Sequence, residues 1–387
     1  MNVLLATDAS LERGGITLFM LQWIKGIKEI YKYSNIHAYF RDRVEDSFLE
    51  KEFKELGVRI HTGNISRSIN FKNIRARKKV IDDISDIINK NSIDVIHIHS
   101  GVFGYNLDLL RVAKRLGIHI RISHSHGAYP ERLRDKVIHR FMIMWIKKYA
   151  TTFAGCSVKA GNYLFGEKGV SSDKWIFVPN TIQSDRFLFN YHKRIEGRND
   201  LRINDTELLL GAVGHLNSGK NHLFLLEVLS LLLQNNRNSA KLVIFGKGNM
   251  KNKLIKKMIE LHLEDKVILY GTTDDVPKWL SAMDVFLMPS ESEGLGISAV
   301  EAQASGLPCI LSDRFPKEVI INNNVWCLPI DKGPDEWVEV IEKIDFQLCG
   351  VRENGVKMVK QAGFDKTNTK NYVKALYEQK QRSKKTR

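Results

Sequence analysis

Short apolar runs alternate with amphipathic helical patterns through the first half of the chain. Each run is short enough for a strand, and the segments between them carry apolar residues at helical spacing. The predicted strands are Val3–Thr7, Ile36–Phe40, Val58–His61, Asp94–His99 and His119–Ser123. The predicted helices are Ile16–Tyr31, Ile74–Asn89 and Leu107–Leu116. Strands that alternate with helices join through crossovers, so this order predicts a parallel sheet with helices on both faces.

The same alternation begins again after a polar stretch. Residues 185–204 are rich in Arg and Asn and lack apolar periodicity, which predicts an interdomain linker. The later predicted strands are Leu208–Val213, Lys241–Phe245, Val267–Tyr270, Val285–Met288 and Cys309–Leu311. The fold class is therefore α/β, with two doubly wound domains at 1–184 and 205–365, joined by the linker 185–204. Residues 366–387 are predicted to form a C-terminal helix and a basic tail.

Composition supports a globular chain in a reducing compartment. The chain has 387 residues, of which 43% are hydrophobic and 27% charged, and this length suits two domains. Its four cysteines are widely spaced, which predicts neither a disulfide framework nor a zinc site. The longest apolar stretches fall short of the ~20 residues that cross a bilayer, and the first residues do not resemble a signal peptide. We expect a cytoplasmic protein.

The charge is strongly positive and uneven. The formal net charge is +15, and residues 1–190 contain 30 Lys and Arg against 19 Asp and Glu, an excess of 11. Such an excess suits nucleic acid, an anionic membrane face or a phosphorylated substrate. The basic residues lack interleaved aromatic side chains and match no nucleic-acid module, so we expect no nucleic-acid partner.

The most informative segment is PSESEGLGISAVEAQASGLPCI, residues 289–310. A predicted strand ends before it, Gly294 and Gly296 lie in the loop, and a helix is predicted from Ile297. Ligands bind at this edge of an open parallel sheet, where glycine amides and a helix start suit a diphosphate. Glu293 precedes the helix and Glu301 lies about one turn inside it, so both carboxylates are predicted to accept hydrogen bonds from sugar or ribose hydroxyls. Taken alone, the two glutamates also fit a helix-start acid and a surface residue.

This segment resembles the retaining glycosyltransferases of family 4, which have the two-domain GT-B architecture. The family's Glu-x7-Glu motif matches Glu293 to Glu301, with Pro-Ser before it and Ser-Gly-Leu-Pro after it. Further landmarks occur in the family's order: Gly14-Gly15, Val213-Gly214 with Lys220, Phe245-Gly246-Lys247-Gly248, Gly271 with Asp275-Val276, and Asp284 before Val285. Capsular and exopolysaccharide members are the most similar. The resemblance implies two Rossmann-like domains that face each other across a cleft, with the acceptor bound by the first domain and the nucleotide sugar by the second.

The resemblance also implies roles for individual residues. Lys220 would neutralise charge on the departing diphosphate, Glu293 would hold the donor sugar, and Glu301 the ribose. The implied catalytic residues are His126, Lys220 and Glu293. The implied donor-binding residues are Gly14, Gly15, Gly214, His215, Gly246, Gly294, Leu295, Gly296, Ile297 and Glu301. We expect retaining transfer of a hexose or N-acetylhexosamine from a nucleotide-diphosphate sugar, with UDP preferred, to a lipid-linked exopolysaccharide or capsule oligosaccharide, without a metal or another cofactor.

One departure from the family leaves alternatives open. The family has Arg after the glycine of this strand end, whereas this chain has His215. Arg offers a permanent planar fork to phosphate, and His offers fewer donors. This departure leaves open a catalytically weak nucleotide-sugar-binding protein. Independently of His215, the scaffold also suits another nucleotide-sugar enzyme, such as an epimerase.

The first half of the chain offers weaker candidates. Gly14 and Gly15 follow the first predicted strand, where their amides suit a phosphate or simply a helix-start turn. His126 follows another predicted strand, His119–Ser123, and stands next to a glycine, whereas for His124 we expect a structural role. His97 and His99 alternate along a strand, but no carboxylate joins the histidines at ligand spacing, so we expect no metal site.

The helix predicted at 131–149 has two interpretations. Basic residues flank an apolar, aromatic-containing centre, which is typical of helices that lie in a membrane interface. Its apolar residues also fit the spacing of an ordinary core helix. On the first interpretation the protein is peripheral on the inner face of the plasma membrane and contacts anionic lipid through this helix.

Overall fold

The chain forms two compact units. Unit 1 comprises Met1–Thr181 and Lys366–Arg387, and unit 2 comprises Ile182–Asp365. This computed structural model describes residues 1–12, 14–66, 73–127, 136–235, 239–344, 352 and 354–378. The predicted membrane helix therefore falls partly outside the described residues at 131–135, as does the predicted basic tail at 379–387.

Within the described residues, unit 1 is built on a seven-stranded parallel sheet. Its strands are β1 (Asn2–Thr7), β2 (Asn35–Phe40), β3 (Val58–Thr62), β4 (Val95–His99), β5 (Ile120–Ser125), β6 (Thr152–Gly155) and β7 (Trp175–Phe177). Their order is β3-β2-β1-β4-β5-β6-β7, and each neighbouring pair is parallel. Its helices before Thr181 are α1 (Gly15–Ile30), α2 (Ser47–Glu55), α3 (Ile74–Asn91), α4 (Phe103–Arg115), α5 (Lys136–Tyr149), α6 (Val158–Phe165) and α7 (Glu167–Val170). The doubly wound prediction is confirmed for this unit.

Strand β1 shows why both faces of this sheet are covered. Val3 and Leu5 point to a core that includes Trp23 of α1, whereas Leu4 and Ala6 point to a separate core that includes Val80 of α3. Successive side chains of a strand alternate between faces, and in β1 those on both faces are apolar. A continuous apolar strand therefore requires a helical layer on each side.

Unit 2 is built on a six-stranded parallel sheet of the described residues. Its strands are β8 (Leu208–Val213), β9 (Ala240–Phe245), β10 (Val267–Gly271), β11 (Val285–Met288), β12 (Cys309–Ser312) and β13 (Val325–Leu328), in the order β10-β9-β8-β11-β12-β13. Its helices are α8 (Tyr191–Asp200), α9 (His222–Gln234), α10 (Lys251–Glu260), α11 (Val276–Ala282), α12 (Ile297–Ala304), α13 (Asp335–Lys343) and α14 (Gly355–Gln361). Trp337 of α13 and Leu225 of α9 are fully buried in its main core. This unit also confirms the doubly wound prediction.

The prediction of a linker at 185–204 is wrong. This segment belongs to unit 2 and contains helix α8, which packs against α11. Arg198 of α8 is 2% exposed and donates to Asp284 Oδ2 at 3.1 Å, and Arg194 donates to Asp284 Oδ1 at 2.6 Å. Charged hydrogen bonds, rather than an apolar stripe, fix this helix, so apolar periodicity does not reveal it.

The C-terminal segment also differs from its predicted place. Helix α15 (Thr369–Tyr377) belongs to unit 1, where it packs against α1. A Cβ built on Gly26 of α1 would lie 2.8 Å from Thr369 Cγ2, so a larger residue at this position would force the Thr369 side chain or the helix contact to shift. The first domain therefore ends at Thr181 rather than at 184, and it is completed by residues after 365.

Several short elements were not predicted. Strands β6, β7 and β13 have only three or four residues, too few to establish a period of two. Within the described residues, no helix combines the length and the hydropathy that crossing a bilayer requires.

Candidate functional site

The sheet of unit 2 has a switch point between β8 and β11. Strand β9 pairs with one side of β8, and β11 pairs with the other. The connections that leave β8 and β11 therefore run to opposite sides, which opens a crevice at the carboxyl ends of these two strands. The loop after β8 and the loop after β11 hold five of the ten predicted donor-binding residues, and helix α12, which follows the second loop, holds two more.

The loop after β8 is shaped by its own hydrogen bonds. Asn217 accepts a hydrogen bond from the amide of Lys220 at 3.1 Å, which closes a 3-10 turn at Ser218–Lys220. The side chain of Lys220 folds back over the start of the loop. A Cβ built on Gly214 would lie only 3.7 Å from Cδ and Cε of Lys220. His215 lies exposed on the same loop.

Gly246 has a structural requirement of its own. Its φ is +149°, and a Cβ built there would lie 1.9 Å from the carbonyl oxygen of Gly214. The loop after β9 therefore packs backbone against backbone on the loop after β8. This contact explains the glycine whether or not its amide contacts a ligand.

Lys220 and Glu293 form an ion pair that joins the two loops. Lys220 Nζ lies 2.5 Å from Glu293 Oε1, and Ser290 Oγ donates to the same oxygen at 2.7 Å. The side chain of Lys220 is 21% exposed and that of Glu293 is 9% exposed. The amide of Glu291 also donates to the carbonyl oxygen of Gly219 at 2.9 Å. Two predicted catalytic residues therefore meet at the switch point, and the buried Ser290, which was not predicted, orients the carboxylate.

The loop after β11 ends at the start of α12, where backbone amides are exposed to a ligand. Gly296 is its N-cap residue, with a φ of +88° and no side-chain cap. A Cβ on Gly296 would lie 2.3 Å from Phe315 Cε1, so space as well as backbone conformation requires glycine. Leu295 is only 3% exposed, so its side chain belongs to the interior. The uncapped amides near Ile297 suit an anionic ligand.

Glu301 has a different environment from Glu293. Burial raises the pKa of its carboxyl to about 7, and the positive charge of Arg186 acts in the opposite direction. Glu301 is thus influenced by the charge of Arg186, whereas Glu293 forms an ion pair with Lys220. Arg186 lies in the segment that was predicted as a linker, so its role was missed.

In unit 1, the predicted residues lie at the carboxyl edge of that unit's sheet. Gly14 is the N-cap residue of α1 and has no side-chain cap, and open space surrounds the Cβ positions of Gly14 and Gly15. Phe19 in the first turns of α1 packs edge-on against the ring of His126, with 4.8 Å between ring centroids. Helix α1 therefore begins at Gly14 and Gly15 and contacts His126 through Phe19.

A hydrogen-bonded chain fixes the buried histidines next to His126. Trp23 Nε1 donates to the Tyr377 hydroxyl at 3.0 Å, and this hydroxyl lies 3.4 Å from His97 Nδ1. His97 Nε2 in turn lies 3.2 Å from His124 Nδ1, within hydrogen-bond distance, so one side chain after another is linked from Trp23 to His124. The structural role expected for His124 agrees with this chain.

His126 pairs with a histidine of the neighbouring strand. His126 Nε2 lies 3.0 Å from His99 Nδ1. Burial lowers the pKa of His126 to about 3, while an interaction with Asn180 acts in the opposite direction. Burial and the neighbouring imidazoles also hold the pKa of His99 well below its ordinary value. Both rings are therefore neutral near pH 7, and His126 can act as a hydrogen-bonding group but not as a cation.

The histidine cluster bears on the expectation of no metal. One ligand nitrogen each from His97, His99 and His124 lies within 4.8 Å of the others. Both nitrogens of His97 already take part in hydrogen bonds to Tyr377 and His124. A metal ion would have to break this chain, and the expectation of metal independence stays a prediction.

Comparisons with known proteins bear on the class of this protein. Residues 193–345 match the family described as "Glycosyl transferases group 1". The "Putative glycosyltransferase EpsF" of Bacillus subtilis is 28% identical over 74% of this chain and 75% of its own length. The "UDP-Gal:alpha-D-GlcNAc-diphosphoundecaprenol alpha-1,3-galactosyltransferase" of Escherichia coli is 25% identical over 80% of this chain and 81% of its own length.

A solved structure shows the same fold. HepE of Anabaena, solved in complex with UDP-glucose, superposes with a TM-score of 0.76 at 14% sequence identity, over 97% of this chain and 99% of that one. This similarity confirms the predicted GT-B fold, with its two Rossmann-like domains. Together with the sequence matches, it supports the class of glycosyltransferases. Neither comparison tests the individual site residues, so their assigned roles stay predictions.

Proposed function

We propose that this protein is a retaining, metal-independent glycosyltransferase of family 4 that uses a UDP-sugar. It transfers a hexose or N-acetylhexosamine to a lipid-linked saccharide during exopolysaccharide or capsule assembly. The protein is cytoplasmic and binds peripherally to the inner face of the plasma membrane, where such an acceptor would be presented.

One observation carries the proposal. The Lys220–Glu293 ion pair lies at the switch point of unit 2, beside the uncapped start of α12. A diphosphate placed there would meet an ammonium group and backbone amides, and a neighbouring sugar would meet a carboxylate. Preorganised donors of this kind stabilise negative charge as it develops on a leaving group.

In the proposed reaction, the bond from the anomeric carbon to the diphosphate oxygen breaks and a bond to the acceptor hydroxyl oxygen forms on the same face. The acceptor proton passes to the departing diphosphate. Lys220 stabilises the charge on that diphosphate, and Glu301 holds the ribose. For His126, we propose that its neutral imidazole hydrogen-bonds the sugar.

The relatives support the choice of substrates. The Escherichia coli relative is named for UDP-galactose and a diphosphoundecaprenol acceptor, and HepE was solved with UDP-glucose. Another relative, from Escherichia coli, is named as an O-antigen biosynthesis glycosyltransferase. UDP-glucose and UDP-galactose are therefore the first donors to test.

The proposal is tested by donor binding followed by transfer. Thermal shift should rise with UDP-sugars above the response to GDP- and ADP-sugars, because a ligand of the native state raises its melting temperature. Transfer from the best donor to an undecaprenyl-diphosphate-linked sugar should then yield a product with the anomeric configuration of the donor, measured by proton NMR, and EDTA should not reduce the rate. Binding without transfer to any acceptor would indicate a nucleotide-sugar-binding protein, and epimerised free donor would indicate an epimerase.

A further inference from the structure

An open groove lies beside helix α5, in a part of unit 1 that the proposed reaction does not use. Its volume is about 660 Å³, within the usual range of about 300–1,000 Å³ for small-molecule sites. Phe141, Ile143 and Met144 of α5 form one wall, and Phe165 at the end of α6 contributes to the other. The groove therefore offers a lining of hydrocarbon and aromatic side chains.

Helix α5 leaves part of its apolar surface unpartnered. Ile146 is fully buried in the core, but Phe141 is 60% exposed and Met144 is 55% exposed. These two residues are three positions apart, so they lie on the same side of the helix. Two large apolar side chains at the edge of a groove mark a binding surface rather than scattered surface residues.

The rim of the groove is cationic. Arg140, Lys147 and Lys168 line it, with Glu167 as the acidic residue. Within the parts of the chain that the structure describes, no carboxylate forms an ion pair with any of these three cations. Burial lowers the pKa of Lys147, and the nearby charges of Lys168 and Lys174 lower it further. An anion at the rim would relieve this repulsion.

We propose that this groove holds one acyl chain of an anionic phospholipid, with the lipid phosphate at the cationic rim. The apolar lining matches the acyl chain, and the rim cations, which have no ion pair among the described residues, match the phosphate. A neutral lipid or an uncharged peptide would not satisfy both features. This inference deepens the proposed function, because it rests on an acceptor that is presented at a membrane.

The groove also differs from a helix face that simply lies on a bilayer. Gly166, with a φ of +67°, is the N-cap residue of α7 at the groove wall, and a Cβ there would lie 3.7 Å from Ile143 Cδ1. The absence of a side chain at this position keeps the space beside Ile143 open. A larger residue at position 143 should therefore fill the groove without removing apolar surface from α5.

Flotation with vesicles tests the proposal. The full-length protein should bind vesicles of equal parts dioleoylphosphatidylglycerol and dioleoylphosphatidylcholine, and it should bind pure phosphatidylcholine much more weakly. Phe141→Ser with Met144→Ser should weaken binding at least about tenfold, and Lys147→Gln with Lys168→Gln should weaken it about fivefold per lysine. Phe48→Ser is the matched control, because Phe48 is also a 60% exposed phenylalanine of unit 1, and it should bind like the parent.

Ile143→Trp separates the groove from the helix face. If an acyl chain enters the groove, this variant should bind anionic vesicles several-fold more weakly, while thermal melts show that it folds. Parent-like vesicle binding by Ile143→Trp, equal loss in Phe48→Ser, or no preference for anionic vesicles would each overturn the proposal. A concentration-dependent dimer that Phe141→Ser with Met144→Ser abolishes would overturn it in favour of a second copy of the chain.

Vesicle binding can be measured separately from the proposed reaction. UDP-sugar binding by thermal shift should be the same in the groove variants and in the parent. Vesicle binding without any UDP-sugar response in the parent would refute the proposed function and leave the groove assignment intact.

Discussion

Replacing Lys220 with alanine is the sharpest test of the candidate site. The change removes the ammonium group that lies 2.5 Å from Glu293 Oε1 and leaves that carboxylate with its hydrogen bond from Ser290. If Lys220 stabilises the departing diphosphate, its loss should lower kcat, because this charge develops as the bond to the sugar breaks. Removal of one such donor typically costs about 10²–10³ in rate, or about 3–4 kcal/mol.

The stability effect of the same change should be modest. The side chains of Lys220 and Glu293 are 21% and 9% exposed, a setting between surface pairs worth up to about 1 kcal/mol and fully buried pairs that cost about 3–5 kcal/mol to break. We therefore expect a loss of about 1–2 kcal/mol in the free energy of unfolding. Such a loss leaves the protein folded at assay temperature, so a thousandfold fall in kcat would not reflect unfolding.

Lys241→Ala provides a matched control. Lys241 pairs with Glu207 at 3.0 Å, and its side chain is also 21% exposed, but it lies near the start of β9, away from the carboxyl edge of the sheet. Steady-state release of UDP with an acceptor present should fall by 10²-fold or more in Lys220→Ala and by less than twofold in Lys241→Ala. The reasoning is refuted if Lys220→Ala keeps half of the parental kcat, or if the two variants lose activity equally.

Three further changes test other parts of unit 2. Because the pKa of the Glu301 carboxyl is raised to about 7, the folded state holds a proton that the unfolded chain releases near pH 4.5, so stability falls as pH rises between these values. Glu301→Gln should therefore gain up to about 3 kcal/mol in urea unfolding above pH 7 and nothing below pH 4.5, while UDP affinity falls; a pH-independent change in stability would contradict this. Gly246→Ala, whose Cβ would lie 1.9 Å from the Gly214 carbonyl oxygen, should cost about 2–3 kcal/mol by thermal melting, and a parent-like melt would show that the two loops separate freely. Arg198→Met should cost about 3–5 kcal/mol in urea unfolding, because it leaves part of the charge of the buried Asp284 uncompensated; a loss below 1 kcal/mol would mean that Arg194 alone suffices.

The sequence predicts the sheets better than the contacts around them. Strands such as β1 and β11 are continuous apolar runs, and a run buried on both faces needs no partner to be recognised. Helix α8 escaped prediction because its position depends on Arg198 and Asp284, which are 86 residues apart. A side chain's partner at that separation is set by the packing of other elements, which local patterns do not contain.

The same distinction applies to the candidate site. The resemblance placed Lys220 and Glu293 in one site, and the structure brings their charged atoms together. It did not indicate Arg186 as the charge acting on Glu301, or His99 as the partner of His126. These contacts join elements that the sequence pattern treats separately. His99 and His126 are visible as strand-end residues, but only the pairing of β4 with β5 makes them neighbours.

The return of the chain to unit 1 after Asp365 has a consequence for biosynthesis. All of unit 2 is inserted between Thr181 and Lys366, and the amide of Ile182 donates to the carbonyl oxygen of Phe364 at 2.7 Å, so the two ends of the insertion are adjacent. While the protein is still on the ribosome, unit 2 can reach its native state first, whereas the amino-terminal unit waits for its last helix. Until Tyr377 has been synthesised, Trp23 and His97 lack the hydroxyl group that links them, and a nascent chain arrested before that point would expose one face of helix α1.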